Sequence, residues 1–173
     1  MSSAPRSCLR LRSSAPRATA LKVRFSTTPS KAARNRIFTN VRTPDELSTL
    51  LLLSSSSNRP LITLWTASWS SDVSPLLKGL IEDGVAEPHG GVGYVEVEFD
   101  AVTIGDLPIR YMINSIPTLL AFSRSEPQLE TKVTKMDDLQ NRAFLTKWLE
   151  TEARRGGEGG AGGKSIFSAL FGH

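Results

Sequence analysis

The sequence predicts an α/β protein in three layers, a central mixed β-sheet with helices on both faces. Three observations carry that expectation. Leu61 to Trp65 is a short, nearly continuous apolar run, the pattern of a central strand buried on both faces. Tyr94 to Phe99 alternates Val95, Val97 and Phe99 with Glu96 and Glu98, the period of a strand with one buried and one acidic, solvated face. Apolar stripes at helical spacing lie between and around these runs, and a sheet covered on both sides is the arrangement that buries all of them in one core.

The elements follow in order. Thr43-Pro44-Asp45-Glu46 is a capping box, with proline at a position whose N–H would be unpaired anyway, and Leu47, Leu50 and Leu51 form the stripe of the first helix. The Ser54 to Pro60 stretch ends it, and the Leu61 to Trp65 strand follows. Ser74 is the expected N-cap of the next helix, with Pro75 in its first turn and Leu76, Leu77, Leu80 and Ile81 facing the core. A turn at His89-Gly90-Gly91 leads into the alternating strand, and a short helix around Gly105 to Met112 precedes Pro117. Thr118 to Ser123 reads as a strand, Arg124 to Pro127 as a turn, and Leu129 to Val133 as the antiparallel partner. Asp137 to Arg154 is expected to be one final helix, carrying Phe144, Leu145, Trp148 and Leu149 on one side.

The ends differ from this domain. The net charge is +4, yet residues 1–36 hold nine Lys or Arg and no acid, which leaves −5 on the rest. The basic character belongs to one end and does not indicate a nucleic-acid surface. That end is rich in Ser and Ala, the composition of a mitochondrial transit peptide, with Arg24-Phe25-Ser26 resembling a matrix processing site and a cut expected after Phe25. A plain basic arm is the other reading of this composition. At the far end six glycines among residues 156–163 mark a linker, and Ile166, Phe167, Leu170 and Phe171 beyond it form a short apolar tail, either a loose end or a docking segment. The expected organisation is a presequence and basic linker over 1–36, a domain over 37–155, and a linker with tail over 156–173. No apolar run approaches the roughly 18 to 20 residues that span a bilayer.

Two local motifs, in the αβαβα-ββα order above, carry a resemblance. Trp65-Thr66-Ala67-Ser68-Trp69 closes the central strand, and Tyr111-Met112-Ile113-Asn114-Ser115-Ile116-Pro117-Thr118 opens the next one, with Asp100 at the end of the strand between. Over roughly Ile37 to Arg155 the chain resembles the thioredoxin family. The resemblance implies a thioredoxin-like fold, a cis-proline at Pro117 facing the first motif, and an extended polypeptide pairing with the backbone beside it. It also implies a Cys-x-x-Cys where Ser70-Ser71-Asp72-Val73 stands, so that Ser70 and Val73 occupy vestigial dithiol positions. The family's buried acid before the aromatic is Leu64 here. From Trp69 to Pro75 there are six residues where the family has nine, about one helical turn fewer.

The only cysteine is Cys8, in the presequence, which excludes an intrachain disulfide and leaves the mature chain without a thiolate nucleophile. Ser70 cannot replace it, because a hydroxyl forms no disulfide and no histidine is nearby in sequence to act as its base. His89 and His173 have no ligand-like spacing, so neither a metal nor a cofactor is expected. Gly159 to Ser165 ends like a phosphate loop but lacks its first glycine and a preceding strand, and Gly90-Gly91-Val92-Gly93 is a turn. Glu96 and Glu98 read as solvated, not catalytic.

Two functions follow. The first is a mitochondrial matrix thioredoxin-like protein, redox-inactive as written, that binds a protein or peptide through Trp69, Ser70, Ile116 and Pro117. The second is a thiol-disulfide oxidoreductase, a protein-disulfide reductase, whose dithiol is missing from this sequence through a misplaced exon boundary; loss of the site in a lineage belongs to the first. A transferase using Ser70 with glutathione ranks last, since the chain lacks the all-helical domain such enzymes carry.

Overall fold

A computed structural model describes residues 34–70 and 72–157. The expected presequence with its Phe25 cut, and the tail residues Ile166, Phe167, Leu170 and Phe171, lie outside the described residues. Five strands, β1 (Arg36–Ile37), β2 (Leu61–Thr66), β3 (Gly93–Glu98), β4 (Thr118–Ser123) and β5 (Glu126–Pro127), form one mixed sheet in the order β1-β3-β2-β4-β5. β3 runs parallel to β1 and β2, whereas β4 is antiparallel to β2 and β5. The helices are α1 (Pro44–Ser57), α2 (Ser74–Glu82), α3 (Leu107–Arg110), α4 (Met136–Gln140) and α5 (Arg142–Gly157).

Alternation along the strands sorts side chains between two core layers. Leu61 and Trp65 of β2 join Val95, Val97, Leu120 and Phe122 against Leu47 and Leu51 of α1 and Leu107 of α3. On the opposite face Ile62, Leu64, Leu119 and Ala121 meet Leu77, Leu80 and Ile81 of α2 and Leu145 and Leu149 of α5. Nine residues are too few for a stable isolated helix. Burial of three large aliphatic side chains, each contributing roughly 1.5–3 kcal/mol, is what holds α2 in place. At α1 the capping box forms: Thr43 Oγ1 accepts from the Glu46 N–H at 3.3 Å, and the Glu46 carboxylate accepts from Thr43 at 3.2 Å and Arg42 at 2.7 Å. Asn58, in the left-handed region at φ 50°, closes the helix.

Four expectations are corrected. Ser74 does not cap α2; it is the first helical residue, preceded by Val73 without a side-chain cap, because its hydroxyl bonds Glu96 instead. The partner of β4 is not Leu129–Val133. Arg124 and Ser125, both with positive φ (53° and 68°), make a two-residue turn that sets Glu126 opposite Ser123. Pro127 has no N–H with which to prolong the ladder, and a 3₁₀ turn over Leu129–Thr131 intervenes before Val133 regains one bridge to Leu119. The last helix is two, broken at Asn141, whose Oδ1 caps α5 by accepting from Phe144 N–H at 3.2 Å. Finally, the acidic face of β3 is solvated only at its end: Glu96 is covered and 7% exposed, whereas Glu98 remains partly exposed and pairs with Arg42 at 2.7 Å.

Glu152 of α5 is fully buried, and among the described residues neither carboxylate oxygen has a hydrogen-bond partner. The Thr131 hydroxyl donates to the Gln128 carbonyl at 3.4 Å, and Arg155 stands 3.6 Å away. Burial pushes the carboxyl pKa up, against the weaker pull of Thr131 and Arg155. An acid whose pKa rises on folding contributes fully below its unfolded value near 4.5, and that contribution is lost as pH rises through the folded value. Glu152→Gln should therefore stabilise the protein by about 1 kcal/mol at pH 7 and by nothing at pH 4. Thermal unfolding at the two pH values checks this; equal midpoints for variant and parent at pH 7 would refute it.

Candidate functional site

The two motifs meet at the C-terminal end of β2. Trp65 lies opposite Thr118 in the β2–β4 ladder, so Pro117 sits beside the point where Thr66 leaves the sheet. The Ile116–Pro117 peptide bond is cis. Thr118 Oγ1 donates to the Ser115 carbonyl at 2.6 Å and ties down the turn before the strand. Pro117 is buried, Ile116 is half-buried and Ser115 is exposed. Among the described residues the backbone of Ile116 has no hydrogen-bond partner. The N–H and the carbonyl of Ile116 at this edge are thus left to pair with something else.

The loop after β2 separates the two tryptophans. Trp65 is fully buried: its indole N–H donates to Thr63 Oγ1 at 3.0 Å and its ring lies 6.1 Å from that of Tyr111. It is a core residue. Trp69 is 74% exposed at the loop tip. The loop is fastened on both sides of that tip. Ser68 donates from its N–H (3.2 Å) and hydroxyl (2.7 Å) to Asp100 Oδ2. Those two bonds, the hydroxyl's first, hold the Asp100 carboxyl below its ordinary pKa. Thr66 Oγ1 donates to the Ser70 carbonyl at 2.5 Å, and Ser70 N–H donates to the Ala67 carbonyl at 2.9 Å. The sequence motif thus encodes a braced turn presenting one aromatic side chain.

Ser70 and Val73 are not brought together as a reactive pair. Ser70 is half-buried in the loop, whereas Val73, 1% exposed, packs in the core with Leu77 and Leu80. The structure brings Trp69, Ile116 and Pro117 to the same end of the sheet, and exposed Ile109 and Met112 precede Ile116 along the chain.

Sequence reasoning missed a buried polar cluster beneath this loop. Glu96 accepts from Ser74 Oγ, from Tyr94 Oη at 3.1 Å and from Lys78 Nζ at 2.8 Å. Burial alone would raise its pKa, but the Lys78 and Ser74 contacts, the Lys78 charge and the Tyr94 hydroxyl together hold it below the ordinary carboxylate value. Burial and the neighbouring carboxylate push Tyr94 up, so it remains a protonated donor. In the β2–β3 register Glu96 is the partner of Leu64, the position where the resemblance implies a buried acid. The acid is one strand away from it. Of this cluster Ser74 and Glu96 line an open cleft of ≈ 380 Å³, together with Thr66, Ser68 and Asp100. A carboxylate held at low pKa is a weak base, so the Ser74–Glu96 contact is structural, not that of an activated nucleophile. The missed signal was Tyr94, which shares the strand face of Glu96 and cannot be buried without it.

No group of three or more His, Cys, Asp or Glu among the described residues is placed to hold a metal ion. No helix among them is long and apolar enough to cross a membrane. The sequence matches no protein-family model and no curated protein. Its structure is similar to the reduced thioredoxin pre-protein of Schistosoma mansoni, at 18% identity and TM-score 0.53, over 68% of this chain and 99% of that one. A mutant thioredoxin from Halobacterium salinarum is 18% identical with TM-score 0.52, over 72% and 96%. Thioredoxin of Malassezia sympodialis is 12% identical with TM-score 0.53, over 70% and 94%. These likenesses, with the β1-β3-β2-β4-β5 sheet and its helices on both faces, establish that the chain has the thioredoxin-like fold.

Proposed function

We propose that this is a mitochondrial matrix protein that uses the thioredoxin-like fold to bind an extended polypeptide, without thiol chemistry. The observation carrying the reading is the unpaired backbone of Ile116 beside Pro117, at the same sheet end as the exposed ring of Trp69. A strand-like segment gains main-chain hydrogen bonds at such an edge, and a rigid aromatic supplies apolar contact at low entropic cost. The basic, acid-free composition of residues 1–36 supports the compartment.

A carboxymethylated insulin B chain, which is extended and has no free thiol, is a suitable probe. Saturable binding is expected, and Trp69→Ala should weaken it at least tenfold, about 1.4 kcal/mol, at unchanged thermal midpoint. Equal affinity in parent and variant would remove this edge as the binding surface. Import into isolated mitochondria should yield a product beginning at Ser26; recovery of Cys8 in the imported protein would count against the presequence.

A further inference from the structure

At the opposite end of the sheet lies a second surface, independent of the reading above. A pocket of ≈ 170 Å³ opens between β1, the start of β2 and the last turn of α1, with a mostly apolar lining that includes Phe38, Leu53, Leu61 and Val92. Arg36 and Arg59 stand at it, and no acid lines it among the described residues. An apolar cavity of about 150 Å³ accepts a benzene ring, so this one suits a single phenyl side chain.

The chain itself brings phenyl groups to this place. α5 ends against Pro60: Gly156 lies so close that a Cβ there would overlap the proline ring. Arg59 and Leu61, the neighbours of Pro60, both line the pocket. Residues 158–173 therefore start next to it, and from Gly157 to Ile166 there are nine residues, most of them glycine or alanine. Such a coil has a typical span of about 16 Å. Reach is no obstacle.

We infer that the apolar segment Ile166–Phe171 folds back into this pocket, placing one phenyl ring, that of Phe167 or Phe171, between Phe38, Leu53 and Val92. The N-terminal segment also starts nearby, since Arg59 donates to the Arg34 carbonyl at 3.2 Å. Residues 1–33 carry seven basic residues and no acid, which meet Arg36 and Arg59 as like charges, and residues 26–33, which remain after a cut at Phe25, hold no large apolar side chain; residues 158–173 carry one Glu and one Lys and two phenyl rings. Charge and apolar content together select the C-terminal segment over the N-terminal one.

A photo-crosslinking benzoylphenylalanine at position 171 of the full chain tests the placement directly. Crosslinks within one chain to residues 36–38, 53–61 or 92–93 are expected; crosslinks between chains, crosslinks to the Trp69 loop, or none would overturn it. Hydrogen exchange provides a second arm. Phe167→Ser with Phe171→Ser should make amides of β1 and the end of α1 exchange several-fold faster while β4 is unchanged, and unchanged exchange at the pocket would overturn the inference. If removal of residues 1–33 instead produces that acceleration, the occupant is the N-terminal segment and the inference fails.

Discussion

Incubated with insulin and dithiothreitol, the 173-residue chain is expected to reduce disulfides no faster than buffer does. Disulfide exchange requires a thiolate to attack sulfur, and the single cysteine, Cys8, precedes the domain. Turnover above the buffer control would refute the thiol-free reading. Changing Ser70 and Val73 to cysteine should not create activity. Val73 faces the core, so a thiol there is a buried hydrophobe with little thiolate at neutral pH, and a disulfide to the loop would need Cβ atoms within about 4.5 Å of each other. Inserting a Cys-x-x-Cys with one additional helical turn between Trp69 and Ser74 is the informative variant, since it starts α2 earlier and leaves Val73 in the core. Restored reduction of insulin by that variant would favour the second reading, a reductase whose dithiol is missing, and sequencing the transcript across Trp69 to Pro75 would decide it.

The fold was legible where a local signal and its tertiary consequence coincide. Thr43-Pro44-Asp45-Glu46 forms the capping box it predicts, and the apolar run of β2 is buried along its whole length because helices cover both faces of this central strand. The motif around Pro117 led to the right neighbour, β2, since register there follows from two adjacent antiparallel strands. What was not legible depends on partners distant in sequence. β1 is two residues long and is held by pairing with β3 and by the Asn35 bonds to Ile81, Glu87 and Val92, partners for which no local pattern exists. Glu96 looked solvated because alternation identifies two faces of a strand but not what covers the second. Here α2 covers it, bringing Lys78 and Ser74 over the carboxylate. The resemblance implied a pair at Ser70 and Val73, but only the structure shows that Val73, at the start of α2, is turned into the core.

The Glu96 cluster yields the largest expected effect on stability. Lys78→Met removes the one cation that, among the described residues, is bonded to a carboxylate only 7% exposed, leaving Ser74 and Tyr94 as its donors there. A hydrogen bond to a charged group contributes about 1.5–3 kcal/mol, but Lys78 is 39% exposed and solvent screens part of this, so a loss of about 1–2 kcal/mol at pH 7 is expected. The pH dependence has a definite sign. In the parent protein the folded pKa of Glu96 is lowered, so its contribution is present above the ordinary value near 4.5 and is lost as pH falls through the folded value. In Lys78→Met the lowering influence of the lysine is gone while burial still disfavours the charge, and parent and variant should converge in stability as pH approaches 3. Lys78→Met combined with Glu96→Gln should recover most of the loss at pH 7, because the neutral amide keeps an acceptor for Ser74 and Tyr94 without a buried charge. Urea titrations of the parent, both single variants and the double variant, at pH 7 and pH 3, measure the coupling. Additive losses at pH 7 would mean that Lys78 acts by packing its aliphatic stem on the sheet, and that the carboxylate is stabilised by the two hydroxyls alone.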